Sequence, residues 1–439
     1  MEFVRGEPAS DAVPTHYRVG GAKNHLLPLA YASLLSIGST RVSNTPTAIR
    51  DWPPTAQCLR SIGASVTVAG DAISIKRLAG SLNFAALDAA SAAETRYSLL
   101  MLGVAAAEGA ELTLPMPGGC GLSRQHDIHI EGLRLMGHTV HEGPSGFTFR
   151  AGRPRACAVK LRVPSVGATL NLLLAATGSV EPVHLYNIAR EPEVTAVTDY
   201  LVSRGVADVG DIGERAIMVR KAPVRPPVTE TNIALLPDRI ITVTAIVAAQ
   251  LLQRALILEK TNPFLITKEL SVLRDINLNV QIIDDTTILV RPRSFFELRS
   301  TTLETAPYPG FSTDSQPIVS ALLARISGIS EVKEFVFTSR FQYVTSINRI
   351  RNCIEIDGDR LIILGDPSLP SLPQMVHLKA TDIRGGMAAC LFALSLGHHV
   401  ELANIHEIER GYGSVDEFLS VLGVECCENS ARIFDPYTV

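Results

Sequence analysis

The sequence lacks the features that would assign the chain to several large protein classes. Its 439 residues contain seven cysteines, at positions 58, 120, 157, 353, 390, 426 and 427, and no CxxC pair. An odd, scattered set of this kind argues against a disulfide framework and against a structural zinc site. The 40 Lys and Arg residues and 44 Asp and Glu residues leave a formal charge of −4. No overall field therefore attracts nucleic acid or an acidic membrane surface.

Long hydrophobic runs are also missing, although the mean hydropathy of +0.21 is high. The longest stretches with few charges, Leu26–Ser39 and Gly385–His398, are shorter than the roughly 18 apolar residues that a membrane span needs. The opening segment MEFVRGEPASDA has no apolar region of the kind found in secretory signal peptides. We therefore expect a globular cytoplasmic protein that binds neither nucleic acid nor membrane.

Core-forming residues, in contrast, are abundant. Apolar residues make up 46% of the chain and charged residues 19%, which is far from the composition of disordered proteins. Because one domain typically takes about 100–200 residues, the length of the chain predicts two or three domains.

A short pattern recurs along the chain: an apolar helix end, then Gly or Asn, then an alternating segment. Gly and Asn most readily adopt the left-handed conformation that ends a helix, and the alternation is typical of a half-buried strand. The spacing of about 72 residues predicts six repeated α+β units. The fifth copy is the least regular, because Asn348 stands where the other copies have Leu. The six marker residues are Gly63, Gly137, Gly205, Asn277, Asn352 and Gly423.

The repeats suggest how the chain divides. Four copies run on into a second strand after a short turn, in the segments GDAISI, SGFTF, ERAIMV and TTILV. The Pro-rich segment Lys221–Thr231 lacks periodicity and is interpreted as a crossover between the third and fourth repeats. This predicts one lobe formed by 22–230 and a second formed by 1–21 with 231–439. We expect the ligand in a cleft between them.

The first candidate functional residue is Lys23, in the segment GGAKNHLLPLAYASLL. A lysine at the start of an apolar helix can bind an anion together with the free backbone N–H groups. On this segment alone, a solvated lysine before a helix is the favoured interpretation.

The segment LPMPGGCGLSRQHDIHI presents a cysteine on a glycine loop. Cys120 lies near Arg124, and a nearby cation lowers the pKa of a thiol and favours the thiolate. The residues alone also allow a Cys/His hydrolase that uses His126 or His129, or a metal site that includes Asp127. No third well-spaced metal ligand follows, so the metal interpretation is weak.

Further charged residues lie in Pro- and Gly-rich turns or in loops. Taken singly, each is compatible with a turn carboxylate or a surface cation. Taken together, loop-borne cations spread over all the repeats predict an anion-binding cleft formed by both lobes. The carboxylates are Asp238, Asp314 and Asp382, and the arginines are Arg96, Arg340, Arg384 and Arg410.

Eight separated motifs carry a resemblance to a known family. They are GAKN, PGGC, PSVGAT, NIAREPE, LPDRI, TAPYPGF-TD-Q, ATD-R and RGYG, in this order over nearly the whole chain. The chain resembles the UDP-N-acetylglucosamine enolpyruvyl transferases of the MurA type, relatives of the shikimate-pathway enolpyruvyl transferases. The glycine-loop cysteine points to the MurA branch. The resemblance implies an α+β fold of two lobes, an inside-out α/β barrel with three repeated units in each lobe and the helices inside.

The resemblance also implies an activity. It is the transfer of the enolpyruvyl group of phosphoenolpyruvate to a hydroxyl of a uridine nucleotide, with release of phosphate and without a metal or organic cofactor. Cys120 matches the cysteine that protonates the vinyl carbon or adds to it, and that fosfomycin alkylates. Asp314 matches the carboxylate that takes the proton of the acceptor hydroxyl. The positions that match the phosphoenolpyruvate-binding cations are Lys23, Arg96, Arg124 and Arg410.

Other matches complete the implied site. Asp238 and Asp382 match further catalytic acids, and Lys23 matches a catalytic lysine. The supporting charged positions are Arg340, Arg384 and Glu191. The nucleotide acceptor is matched by Asn24, Asp127, Ser165, Val166 and Gly167, together with Asp314.

Three motifs depart from the family pattern. The cysteine loop, GCGLSRQHDIH, is one residue shorter than usual, so the match of Arg124 assumes that the gap lies between Cys120 and Arg124. The usual DRIExGT is DRIITVT at Asp238–Thr244, which loses a carboxylate and a glycine. The usual ENRFxH is TSRFQY at Thr338–Tyr343.

These departures fall around the expected position of the sugar and leave the acceptor open. One hypothesis is UDP-N-acetylglucosamine, with a role in peptidoglycan biosynthesis. Another is UMP, as in the enolpyruvyl transferases of nucleoside-antibiotic biosynthesis. A third is a catalytically silent binding protein on the same fold, which is disfavoured because Cys120, Asp314 and the four cations are all present.

Overall fold

The computed structural model describes residues 1–6, 13–118, 126–153, 156–223, 230–337 and 340–427. The chain divides into two compact units. The first, here called the N unit, consists of Gly20–Asp238 and Pro307–Pro309. The second, the C unit, consists of Met1–Val19, Arg239–Ala306 and Gly310–Val439. Each unit has its own hydrophobic core.

The described residues are rich in short strands, which are in chain order β1 (Glu2–Arg5), β2 (Thr15–Arg18), β3 (Gly38–Ser43), β4 (Ser65–Ala69), β5 (Ala72–Arg77), β6 (Glu111–Pro115), β7 (Thr139–Gly143), β8 (Gly146–Arg150), β9 (Cys157–Lys160), β10 (Val183–Tyr186), β11 (Ala207–Gly213), β12 (Ala216–Lys221), β13 (Glu230–Ala234), β14 (Leu256–Glu259), β15 (Asn279–Asp284), β16 (Thr287–Arg291), β17 (Thr302–Glu304), β18 (Gly328–Lys333), β19 (Ile354–Asp357), β20 (Arg360–Gly365), β21 (Met375–Lys379), β22 (His399–Ala403) and β23 (Val424–Cys427). The helices in the same residues are α1 (Lys23–Ala32), α2 (Trp52–Ser61), α3 (Ala89–Glu94), α4 (Leu100–Glu108), α5 (Asp127–Leu135), α6 (Val166–Ala176), α7 (Pro192–Ser203), α8 (Arg239–Leu251), α9 (Thr267–Asp275), α10 (Gln316–Leu323), α11 (Gln342–Ile350), α12 (Ile383–Ser395), α13 (Ile405–Tyr412) and α14 (Val415–Ser420).

Six helices, here called the central helices, are buried over nearly their whole length. They are α1, α4, α6, α8, α10 and α12. Their sequences are apolar on almost every side, and a helix of this kind is stable only when it is covered all round. In the C unit α8, α10 and α12 contact one another, and in the N unit α4 contacts both α1 and α6. In the described part of the chain, no helix combines the length and apolar character that crossing a membrane requires.

The sheets repeat one topology. In the four-stranded sheet β13-β3-β5-β4, the hairpin β4–β5 pairs antiparallel with β3, which pairs parallel with β13. The same arrangement recurs in β9-β10-β12-β11, β2-β14-β16-β15 and β17-β18-β20-β19. Within the described residues the sheet β6-β8-β7 has three strands. This recurrence agrees with the predicted repeat of α+β units.

The sixth sheet, β21-β22-β1-β23, draws strands from distant parts of the sequence. Here β1 takes the place that the second hairpin strand holds elsewhere, because it pairs antiparallel with both β22 and β23. The register places Glu2 opposite Cys427 and Phe3 opposite Val400.

Five of the six marker residues adopt the predicted left-handed conformation. Gly63, Gly137, Gly205, Asn277 and Gly423 have φ between 65° and 108°. After Gly63, for example, the Ala64 N–H donates to the Leu59 carbonyl at 3.1 Å and closes the end of α2. A left-handed residue of this kind satisfies carbonyls that the helix leaves without a partner.

The prediction for Asn352 is wrong, since Asn352 does not have a positive φ. Helix α11 is followed instead by Arg351 in an extended conformation, with φ −148°. The side chain of Asn348 stabilises the turn after α11. Its Oδ1 accepts hydrogen bonds from the N–H groups of Cys353 at 3.1 Å and Ile354 at 2.9 Å. The residue that made the fifth copy irregular therefore supplies the hydrogen bonds that the backbone supplies elsewhere.

The predicted lobe boundaries also need correction. The structure divides after residues 19 and 238 rather than after 21 and 230. Strand β13 pairs in parallel with β3 of the N unit, and the Asp238 N–H donates to the Gly20 carbonyl at 2.9 Å. These bonds place 231–238, together with Gly20 and Gly21, in the N unit.

Candidate active site

The candidate residues recur at one kind of position, the N-terminal end of a central helix. Lys23 is the first residue of α1, Ser165 caps α6, and Asp382 caps α12. Asp238 immediately precedes α8, and Asp314 lies just before α10. The first N–H groups of a helix have no partner within it and carry partial positive charge. The repeat therefore places polar side chains and helix ends together.

Lys23 is held by two carboxylates of the N unit. Gly21 allows the close approach of the preceding chain, because a Cβ there would lie 2.1 Å from the Asn44 carbonyl oxygen. The Lys23 N–H donates to Asp238 Oδ2 at 3.3 Å, and Lys23 Nζ lies 2.6 Å from Asp51 Oδ2. The side chains of Lys23 and Asp51 are 7% and 6% exposed, so this is a buried ion pair.

Asp51 is a residue that the sequence reasoning missed. It stands before α2, which opens with prolines, yet its side chain does not cap that helix. From the sequence, an acidic residue before a helix is expected to cap that helix. The residue that Asp51 binds instead, Lys23, is 28 positions away in the sequence.

A second basic group of the N unit contains two histidines. Arg96 Nη1 lies 3.0 Å from His126 Nε2, and burial, followed by the charge of Arg96, lowers the pKa of His126. His129 Nδ1 accepts from Asn171 Nδ2 at 3.1 Å, and burial, then Arg96 and His126, lower its pKa to about 3. A histidine with so low a pKa is a poor general base at neutral pH, which argues against His129 as the base of a Cys/His hydrolase. Among the described residues, no group of three or more His, Cys, Asp or Glu side chains is placed to hold a metal ion.

The residues expected at the nucleotide acceptor lie in the N unit, except for Asp314, which lies in the C unit. Asn24 Oδ1 accepts a hydrogen bond from the Tyr97 hydroxyl at 2.8 Å. This bond orients the Asn24 amide so that its N–H₂ group is available to donate to a ligand. The sequence reasoning did not anticipate Tyr97.

The other acceptor candidates surround the starts of α5 and α6. Asp127, the first residue of α5, forms an ion pair with Arg162. Ser165 Oγ accepts from the Ala168 N–H at 3.3 Å, and Val166 and Gly167 begin α6. Of the supporting positions, Glu191 lies at the start of α7, immediately before Pro192.

In the C unit, Asp314 is the centre of a charged network. Asp314 Oδ1 forms an ion pair with Arg340, and Asp314 Oδ2 lies 3.9 Å from Arg384 Nε. Arg340 is buried, and its Nη1 also donates to Thr313 Oγ1 at 3.4 Å. Two guanidinium groups therefore orient one carboxylate, which is itself partly exposed.

The ATD-R motif explains how Arg384 is held. Asp382 Oδ1 accepts from the N–H groups of Arg384 at 3.0 Å and of Gly385 at 2.9 Å, which caps α12. A Cβ on Gly385 would lie 2.5 Å from Asp382 Oδ2 and 2.6 Å from Tyr343 Cβ, so this position has no room for a side chain. The Arg384 guanidinium lies over the Tyr412 ring, 4.9 Å from its centre.

Three basic or nucleophilic candidates remain: Arg410, Cys120 and Arg124. Arg410 is in α13, and its Nη1 lies 3.7 Å from Glu407 Oε2. Cys120 and Arg124 lie outside the described residues, so their positions stay predictions.

Comparisons with known proteins agree over nearly the whole chain. The EPSP synthase (3-phosphoshikimate 1-carboxyvinyltransferase) family model matches residues 9–419. A UDP-N-acetylglucosamine 1-carboxyvinyltransferase of Mycolicibacterium paratuberculosis is 32% identical over 408 residues, which cover 93% of this chain and 94% of that protein. The UDP-N-acetylglucosamine 1-carboxyvinyltransferase 2 of Carboxydothermus hydrogenoformans is 31% identical over 414 residues, with 93% and 95% covered.

Solved structures show the same fold. The enolpyruvyl transferase NikO from Streptomyces tendae superimposes with a TM-score of 0.81 at 23% identity, covering 97% of each chain. EPSP synthase from Acinetobacter baumannii gives a TM-score of 0.72 at 17% identity, covering 97% of this chain and 98% of the other. With the family match and the identity to curated relatives, these findings place the chain in the EPSP synthase family of carboxyvinyl (enolpyruvyl) transferases, enzymes that act on small molecules.

Proposed function

We propose that the chain transfers the enolpyruvyl group of phosphoenolpyruvate to the 3-hydroxyl of UDP-N-acetylglucosamine and releases inorganic phosphate. A bond forms between the acceptor oxygen and C2 of the donor, and the bond from C2 to the phosphate oxygen breaks. The proton of the acceptor hydroxyl goes to a base, while C3 gains and later loses a proton. The enzyme must therefore hold a phosphate ester, a base and a proton donor around one carbon.

The observation that carries the proposal is the placement of Asp314 between Arg340 and Arg384. A base must be directed at the acceptor hydroxyl by groups that do not themselves take the proton. Guanidinium groups meet this need because they stay protonated at every physiological pH. The relatives that the chain matches over more than nine tenths of their length are named for UDP-N-acetylglucosamine, which supports this acceptor.

Lys23 and Arg96 are proposed to bind the phosphate and carboxylate of the donor, together with Arg124 and Arg410. Lys23 stands at the start of α1, where its charge adds to the partial positive charge of the helix N-terminus. We also infer the two-lobed arrangement, with a cleft that the N unit and the C unit both line, and Cys120 as the proton donor to C3.

A second acceptor, UMP, is favoured by one specific observation. Ile241 and Val243 occupy the α8 positions where the family pattern has Glu and Gly, and both are buried. A site without that carboxylate loses one acceptor for sugar hydroxyl groups, which lowers its selectivity for a nucleotide sugar over a smaller nucleotide.

The acceptor is tested by measuring phosphate release from phosphoenolpyruvate with UDP-N-acetylglucosamine, UDP and UMP in parallel. The proposal expects the highest kcat/KM with UDP-N-acetylglucosamine. A higher kcat/KM with UMP would show that UMP, and not UDP-N-acetylglucosamine, is the acceptor. If no phosphate is released with any of the three nucleotides, the result supports a silent binding protein.

The role of Cys120 is tested by treatment with fosfomycin and mapping of the adduct by mass spectrometry. Burial raises the pKa of Cys58 and of Cys390 to about 12, so neither thiol should react. Because Cys427 is exposed, the variant Cys427→Ser is the matched control, and labelling should persist in it. An adduct on another cysteine would contradict the assignment.

A further inference from the structure

Glu334 is a fully buried carboxylate that immediately follows β18. Its Oε1 accepts from the Thr305 hydroxyl at 2.7 Å and from the N–H groups of Val336 at 2.9 Å and Phe337 at 2.8 Å. Its Oε2 accepts from the Thr313 hydroxyl at 2.9 Å. Four donors directed at two oxygens are what an ionised carboxylate accepts.

These bonds join three segments of the C unit. Thr305 immediately follows the strand β17, Thr313 belongs to the turn before α10, and Val336 and Phe337 precede Arg340. A buried charge is retained only when its hydrogen bonds are satisfied, so the three segments are held in one arrangement.

The Thr313 hydroxyl connects Glu334 to Arg340, which pairs with Asp314. A hydroxyl has one proton, and the Thr313 proton is donated to Glu334 Oε2. The Thr313 oxygen therefore accepts from Arg340 Nη1, at 3.4 Å. Because the same guanidinium forms the ion pair with Asp314, Arg340 is shared between two carboxylates, one directly and one through a hydroxyl.

Other charges also face this region of the C unit. Arg384 lies 3.9 Å from Asp314, and Glu269 accepts from the Ser312 N–H at 3.1 Å. Burial alone lowers the pKa of Arg340, but the charge of Asp314 and its hydrogen bond, then the charges of Asp382 and Glu334, raise it overall above the ordinary value. Glu334 thus acts on the cation that orients Asp314.

We propose that Glu334 is a positioning residue for Asp314, acting through Thr313 and Arg340. The negative charge of Glu334 offsets part of the attraction between Arg340 and Asp314. Asp314 is therefore a stronger base than it would be without Glu334, and Arg340 still holds it oriented towards the acceptor hydroxyl. This inference rests on the proposed function, in which Asp314 takes the proton of that hydroxyl.

A merely structural role for Glu334 can be separated from a positioning role by two matched threonines. The hydroxyls of Thr305 and Thr313 each donate to Glu334 and each accept one N–H bond. Thr305 accepts from the Phe335 backbone at 3.0 Å, whereas Thr313 accepts from Arg340. Only the Thr313 hydroxyl leads to Asp314.

The kinetic test compares Thr313→Val with Thr305→Val in the full-length enzyme. Thr313→Val should lower kcat about tenfold, with the KM of both substrates changed by less than about twofold. Thr305→Val should lower the melting temperature at least as much and keep kcat within about twofold. Equal effects of both variants on kcat would overturn the proposal.

The second test does not depend on turnover. Carbon-13 NMR of protein labelled at the aspartate carboxyl carbons follows the titration of Asp314, whose signal is identified by its loss in Asp314→Asn. Glu334→Gln removes a negative charge near Arg340, so the Asp314 midpoint should move to lower pH by about half a unit or more, and Thr305→Val should leave it in place.

The two tests keep the proposals distinguishable. If the wild-type enzyme releases no phosphate with any acceptor, the proposed function fails, and the titration still decides whether Glu334 acts on Asp314. If the enzyme turns over and Glu334→Gln leaves both kcat and the Asp314 midpoint unchanged, the positioning role fails and the function stands.

Discussion

The two units place opposite charges at the starts of their central helices. In the N unit, Lys23 is the first residue of α1 and Arg96 precedes α4. In the C unit, Asp314 precedes α10 and Asp382 caps α12. A cation at a helix N-terminus adds to the positive end of the helix dipole and favours a bound anion, whereas a carboxylate there is already stabilised. One repeated frame therefore presents cations at helix starts in one unit and oriented carboxylates at helix starts in the other.

The units also differ in how their buried polar groups are compensated. In the N unit the Lys23 ammonium lies 2.6 Å from Asp51, and the rings of His25, His129 and His138 are buried. The C unit connects its arginines and carboxylates into a network around Asp314. Removal of Arg384 leaves Asp314 paired with Arg340, whereas removal of Lys23 takes away the ammonium group that faces Asp51.

The largest expected effect follows from that contrast. Lys23→Met leaves the Asp51 carboxylate buried without its ammonium partner, which should lower the free energy of unfolding by about 3–5 kcal/mol. The double variant Lys23→Met/Asp51→Leu should recover much of the loss, because it removes both buried charges. Urea unfolding at pH 7, followed by circular dichroism, measures both.

Arg384→Met is the matched change in the C unit. Since Asp314 keeps its ion pair with Arg340, the loss of stability should be clearly smaller than for Lys23→Met. Equal losses in the two units would break the comparison between a pair and a network.

The pH dependence of stability should also differ between the units. Burial lowers the pKa of His25 to about 4, of His129 to about 3 and of His138 to about 4, from 6.5 in the unfolded chain. Between pH 7 and 5 the unfolded chain binds protons that these folded side chains do not, so each should cost the N unit about 2 kcal/mol as the pH falls. Hydrogen exchange followed by mass spectrometry, peptide by peptide, measures the loss of protection in each unit.

The control for this effect is His138→Asn. His138 Nδ1 accepts from the Gly152 N–H at 3.2 Å, a bond that an Asn oxygen can retain. The variant should lose less protection between pH 7 and 5 than the wild type. A loss of protection in the C unit equal to that in the N unit would contradict the assignment to the buried histidines.

The smallest expected effect concerns Tyr97. Tyr97→Phe removes the hydroxyl that orients the Asn24 amide, which should cost about 1 kcal/mol and raise the KM of the acceptor about fivefold, with kcat nearly unchanged. Steady-state kinetics with the preferred acceptor measures it. Tyr343→Phe is the counterpart in the C unit, where the hydroxyl accepts from buried Gln316 at 2.7 Å. It should lower the melting temperature rather than raise the KM, and a raised KM in both would remove the distinction.

Much of the fold could be predicted from the sequence, because each repeat is marked by residues whose local conformational preferences end a helix. Left-handed helix ends favour Gly or Asn, so Gly63 and Asn277 mark them directly. Asn352 misled the prediction because Asn348, four positions earlier, can make the same hydrogen bonds with its side chain. The lobe boundary was misplaced because the pairing of β13 with β3 joins segments far apart in sequence.

The site was predictable only in part. Lys23, Asp314 and Asp382 belong to short motifs whose residue types show their chemistry. Asp51 and Glu334 do not, since each acts through a partner that only the folded chain brings near. Glu334 follows a strand-like segment, where an isolated carboxylate is normally a solvated charge.

Because β1 pairs with β22 and β23, the sheets of the molecule must fold in a certain order as the chain is synthesised. All strands of the N unit sheets lie between Gly38 and Ala234, so that unit can form from a continuous stretch while the ribosome is still adding residues. Strand β1, in contrast, precedes these strands in the sequence but must wait for Val424–Cys427 before its sheet is complete. The sheet of the C unit that contains β1 is therefore completed only after every strand of the N unit sheets has been made.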